Sequence, residues 1–141
     1  MKNQLYEGDF NLWVREQASA LRARQFTRLD YDNLIEEIED MGKSEKRSLE
    51  SYLERLIEHI LKLKYWEAER ESNYKHWQGE ETNFRDQINR LLKRSPSLKK
   101  YMAEVYLDIY RDAIEARSKV FDIPEHEPLP LEKMLDKDCF F

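Results

Sequence analysis

An all-α protein, a helical bundle of about four main helices built around one long central helix with a short C-terminal helix added, is what this sequence predicts, and three observations carry the expectation. Only three glycines and four prolines occur in 141 residues, which leaves little for the tight turns that hairpins need. Charged residues make up 38% of the chain, and β-branched runs are scarce. From Asp30 to Trp66, Leu34, Ile35, Ile38, Met41, Leu49, Tyr52, Leu53, Leu56 and Ile60 fall within one arc of about 120° when each residue is set about 100° on from the last.

That segment is the central helix. Its opposite face collects Glu36, Glu39, Asp40, Lys43, Lys46, Arg47, Glu50, Glu54 and Glu58, a solvated side on which Glu39 precedes Lys43, and Glu58 precedes Lys62, in the favourable i,i+4 order. Gly42 costs about 1 kcal/mol in a helix interior, yet the stripe keeps its phase across it, which predicts continuity and places Gly42 where another helix can approach closely. Asp30 is suited to cap the start, with Asp32 in the first turn.

Residues 1–8 read as a loose arm. Asp9 can cap a first helix with Phe10, Trp13, Val14, Ala18 and Leu21 inward and Arg22, Arg24 and Arg28 clustered at its end, where cations suit the helix dipole. The polar EAERESNY reads as a link in which Ser72 or Asn73 caps a third helix, with Tyr74, Trp77, Phe84, Ile88, Leu91 and Leu92 inward. In RSPSL, Ser95 is placed as a cap and Pro96 at the first position of a fourth helix running to about Lys119. That helix is apolar on two sides, Leu98, Met102, Val105, Ile109 and Ala113 on one and Ala103, Leu107, Ile114 and Phe121 on the other. Residues 122–141 predict an extended tail, a short helix around Leu131, Met134 and Leu135, then exposed aromatics.

The length predicts a single domain over residues 1–141. A net charge of −5 makes nucleic acid an unlikely partner except through a local basic patch. No apolar run approaches a membrane span, no signal peptide is visible, and the single cysteine, Cys139, has no internal partner, so a cytoplasmic protein without membrane attachment is expected.

Asp9, Phe10, Trp13, Glu16 and Gln17, the run LDYDNLIEEIEDMGKSEKRSLES from Leu29, LIEHILKLKY from Leu56 and SPSL from Ser95 together resemble a bacterial family known as domain of unknown function twenty-nine. The likeness covers about residues 6 to 138. It implies a compact all-helical bacterial protein and supplies no reaction, so it assigns no catalytic residue.

Chemistry must therefore be sought in the residues. Glu36 and Glu39 match the first half of the ExxE…ExxD magnesium site of helical nucleotide hydrolases, but no second half follows at a usable distance, and no pair of Glu-x-x-His motifs is present for a di-metal bundle. No metal and no cofactor is expected. Glu45 and His59 fall on the apolar stripe, and Glu81 has a comparable inward place on the third helix; a carboxylate there needs a partner or a raised pKa. Arg70 and His76 match the Arg-x(4–6)-His spacing of some helical ribonucleases. Glu45, His59, Arg70 and His76 are the weak catalytic candidates.

The leading expectation is a non-enzymatic interaction or adaptor protein with an unidentified protein partner. The alternatives are a hydrolase, such as a helical nuclease using Arg70 and His76, and DNA binding if Arg22, Arg24 and Arg28 converge with Lys93, Arg94, Lys99 and Lys100. A helix from Tyr31 to Trp66 would span about 54 Å, against about 37 Å for a compact globule of this length. The uncovered stripe predicts an elongated molecule or a homodimer.

Overall fold

A computed structural model of the chain describes residues 4–136. They form α1 (Gln4–Gly8), α2 (Phe10–Arg22), a 3₁₀ turn (Phe26–Arg28), α3 (Tyr31–Tyr65), α4 (Glu67–Arg94), α5 (Leu98–Arg117) and α6 (Leu131–Leu135), with no strand among the described residues. The all-α class and the long central helix are as the sequence predicts. α3 is continuous through Gly42. Cys139, Phe140 and Phe141 lie outside the described residues.

By compactness the chain divides into two units, Met1–Ser44 and Glu45–Phe141. In the second unit, Leu49, Leu53, Leu56, Ile57, Ile60 and Leu61 of α3 pack with Phe84, Ile88 and Leu92 of α4 and with Leu98, Met102, Tyr106, Tyr110 and Ala113 of α5. Removing this area from water is the main favourable term at roughly 25 cal/mol per Å². Phe121 and Met134 close the same core, and the Tyr106 hydroxyl donates to the Leu129 carbonyl, so the tail is fastened down by its own residues. Burial pushes the Tyr106 phenol well above the ordinary tyrosine range.

Several boundaries differ from the sequence expectation for identifiable reasons. Gln4–Gly8 is a short helix, not a loose arm; it stacks Tyr6 edge-on against Phe10 and Trp13. α4 begins at Glu67, without Ser72 or Asn73 as cap. Glu67 and Glu69 in its first turn suit the helix dipole, and Trp66, the one residue between α3 and α4, stacks on both Trp77 and Phe121, which fixes the bend. Tyr74 is exposed. Ser95 ends α4 while α5 starts at Leu98, and the Ser95 hydroxyl donates 2.8 Å to Glu45. Pro96 sits in the intervening turn, where its missing N–H costs nothing; Pro96→Ala should shift stability by under about 1 kcal/mol in a urea melt. α5 buries one face, Leu98, Met102, Tyr106, Tyr110 and Ala113, and leaves Ala103 and Leu107 exposed. Of the second apolar side that the sequence predicts, Ile114 packs against the core and Phe121 is buried in it, and the two tyrosines add area with polar tips bonded to Leu129 and His126.

Gly79 lies in the middle of α4 with open space where a Cβ would stand. Gly79→Ala should therefore raise stability by about 0.5–1 kcal/mol, read as an increased thermal midpoint. An unchanged or lowered midpoint would mean that the site is not free.

Candidate functional site

The polar residues singled out on the stripe take structural partners. Glu45 is half-buried, accepting from Ser95 and lying 3.8 Å from Arg94 Nε, so it ties α3 to the end of α4. His59 places Nδ1 2.7 Å from the Arg55 carbonyl, and its Nε2 meets the Glu80 carboxylate. The other oxygen of Glu80 lies 3.1 Å from His76 Nε2. Both ring nitrogens of His59 thus face oxygen atoms. Arg70 donates 2.9 Å to the Lys64 carbonyl, holding the turn between α3 and α4. Of the four catalytic candidates, then, the structure unites His59 and His76, while Glu45 and Arg70 engage elsewhere. Among the described residues no cluster of three or more His, Cys, Asp or Glu could hold a metal ion.

Glu81 is buried and 2.5 Å from the Nη2 of Arg85, itself buried; Arg85 Nε donates 2.6 Å to the carbonyl of Met134. Desolvation holds the Glu81 carboxyl above the ordinary carboxylate range, against the opposing pull of Arg85. Sequence reasoning found Glu81 and missed Arg85, although the i,i+4 spacing was there to be read.

In the first unit the geometry is of another kind. Trp13 Nε1 donates 3.0 Å to Asp30, Asn33 donates 2.8 Å to the same carboxylate oxygen, and Gln17 accepts 2.7 Å from the Asp30 N–H. These polar groups are buried, and buried donors must be satisfied. α2 consequently turns the edge carrying Trp13, Gln17 and Ala20 to the start of α3; of the inward set that periodicity selected, Trp13 is buried while Phe10, Val14 and Leu21 are exposed. The displaced apolar edge lines an open groove of about 420 Å³ with Leu34, Ile38 and Met41 of α3. The Tyr6 hydroxyl donates to Glu37, one of the groove's lining residues, which pushes the Tyr6 phenol up to about 12.

Phe10, Val14, Leu21, Ile35, Ile38 and Met41 are between 41% and 68% exposed, a concentration that isolated surface apolar residues do not produce. The second unit, more than twice as long, contributes Tyr74, Leu107 and Val120 to the large exposed apolar side chains. The basic residues after α2 serve its end: Arg24, at a positive φ of 57°, donates to the Leu21 and Arg22 carbonyls, and Arg28 donates to Gln25.

These features define an all-helical protein whose candidate polar residues are engaged by neighbouring groups and whose first unit carries an open apolar groove. The chain belongs to the family described as Domain of unknown function DUF29, whose model matches residues 5–140. No curated protein and no solved structure matches it. No helix among the described residues is long and apolar enough to cross a membrane.

Proposed function

We propose that this chain is a non-enzymatic interaction protein, an adaptor of the bacterial cytoplasm, whose docking surface is the groove between α2 and α3. The observation that carries this reading is the exposure of Ile38 and Met41, at 64% and 68%, beside Phe10 and Leu21. Apolar side chains grouped in this way are unfavourable in water and mark interaction sites in folded proteins. The separation of Glu45 and Arg70 from the pair His59 and His76 supports it further, since an enzyme would gather such groups in one pocket.

The test is affinity purification from the native cell with wild-type chain and with Ile38→Glu. Because Ile38 is exposed, the substitution should change stability by no more than about 0.5 kcal/mol, while the proteins retained by the wild type should be lost. Identical retained sets, with both chains folded, would overturn the groove as a docking surface. A hydrolase would instead draw on the pair that Glu80 unites, and loss of a hydrolytic activity in His76→Ala without loss of retained partners would favour that alternative.

A further inference from the structure

We propose that the groove of the first unit is covered by the same groove of a second copy of this chain, in a twofold dimer; this rests on the groove being a docking surface and names its occupant. On α2 the apolar edge formed by Phe10, Leu21 and Val14 is followed, about 100° further round and away from α3, by Arg22 and Arg15. On α3 the edge formed by Leu34 and Ile38 is followed, a similar angle away from α2, by Glu39 and Asp32. All four charged residues are exposed. One lip of the groove is basic and the other acidic.

The spacing matches as well. Arg15 and Arg22 are seven residues apart, as are Asp32 and Glu39, so each pair lies on one face about 10.5 Å apart along its helix. A twofold axis over the groove sets α2 of one copy on α3 of the other, and every contact made once is made twice. The equal spacing then lets both arginines meet both carboxylates at once. A foreign partner would have to supply its own basic and acidic edges at this separation; a second copy supplies them by construction.

Area is consistent with this. With roughly 200 Å² for a large side chain in full exposure, Phe10, Val14, Leu21, Ile35, Ile38 and Met41 leave on the order of 600 Å² open per copy. Two grooves face to face would cover on the order of 1,200 Å², the lower edge of specific interfaces. Such a dimer is reversible in the micromolar range and sensitive to salt, because exposed charge pairs guide its register.

Sedimentation equilibrium of the full chain decides it, with four proteins compared. The wild type should show a mass rising from monomer to dimer across tens of micromolar. Ile38→Glu should stay monomeric with unchanged helicity. Arg15→Glu with Arg22→Glu should weaken association by about tenfold or more, by setting acid against acid, and adding Asp32→Arg and Glu39→Arg to that chain should restore it to within a few-fold. A wild type that stays monomeric to several hundred micromolar overturns the proposal, as does a dimer indifferent to Ile38→Glu and to the reversals. The two readings fail separately. Monomeric wild type that still loses retained cellular proteins on Ile38→Glu removes the second copy and leaves the adaptor standing, whereas a groove-dependent dimer that retains only itself from the cell removes the adaptor and leaves the dimer.

Discussion

Arg85→Met is expected to lower the free energy of unfolding by about 3–5 kcal/mol, the cost of leaving one member of a buried ion pair without its partner. Arg85 and Glu81 are each 2% exposed, so solvent does little to screen what is lost. The guanidinium also donates to the Met134 carbonyl, and the substitution therefore loosens α6, whose Met134 is fully buried in the core of the second unit. Methionine keeps most of the volume, so the loss is electrostatic and not a cavity. Glu81→Leu combined with Arg85→Met should recover much of the stability, because an apolar pair of similar size carries no uncompensated charge. Urea melts of the three chains give the result, and a single variant within about 1 kcal/mol of wild type would mean the pair is not desolvated.

The same pair gives a pH dependence whose sign follows from burial. The native state holds the Glu81 proton more tightly than the unfolded chain does, since its carboxyl is raised by desolvation. The contribution is fully present below the ordinary carboxylate value and is lost as pH rises through the raised one. Wild type should thus lose stability relative to Glu81→Gln as pH increases from about 4 toward neutrality. A difference that grows in the opposite direction would show that the pull of Arg85 outweighs burial.

How far the fold was legible depends on which physical term dominated each segment. α3 was readable from end to end because its stripe has one phase, and in the second unit Leu49, Leu53, Leu56 and Ile60 of that stripe are fully buried. Within the first unit the same stripe was read correctly as apolar, and only its length, beyond that of a compact globule, hinted that part of it stays open, since periodicity reports which residues share a face and not whether anything covers it. α2 shows the converse. Its buried edge is set by Trp13, Gln17 and Ala20, and glutamine carries no weight in an apolar count although here it binds the Asp30 N–H and lies 3.5 Å from the Arg28 carbonyl. Among the candidate residues, Glu45 and His59 stood out as polar groups on the apolar stripe, and Arg70 and His76 by their spacing. The partners of Glu45, His59 and Arg70, namely Ser95, Glu80 and the Lys64 carbonyl, are turn or neighbouring-helix groups that a single helical wheel cannot bring near, whereas the pairing of His76 with Glu80 is an i,i+4 contact within α4.

Asp30→Leu should cost about 2–4 kcal/mol and loosen the first unit ahead of the second. Sequence reasoning gave Asp30 the task of capping α3, which by itself is worth about 1 kcal/mol. The structure gives its carboxylate a larger one: a single oxygen accepts both the Trp13 indole N–H and the Asn33 amide, and all three residues are buried. Removing it strands two donors, each at about 1–3 kcal/mol, and leaves Trp13, the largest apolar side chain of the unit, held by packing alone. Asp30→Asn keeps an acceptor of the same shape and should cost only about 1 kcal/mol. Amide hydrogen exchange distinguishes this from a general loss of stability: in Asp30→Leu, protection should fall across α2 and the start of α3 while amides of Leu53 to Leu61 keep theirs. Uniform loss over both regions would mean that the two units unfold as one, and a cost no greater than that of Asp30→Asn would reduce the residue to the cap first expected of it.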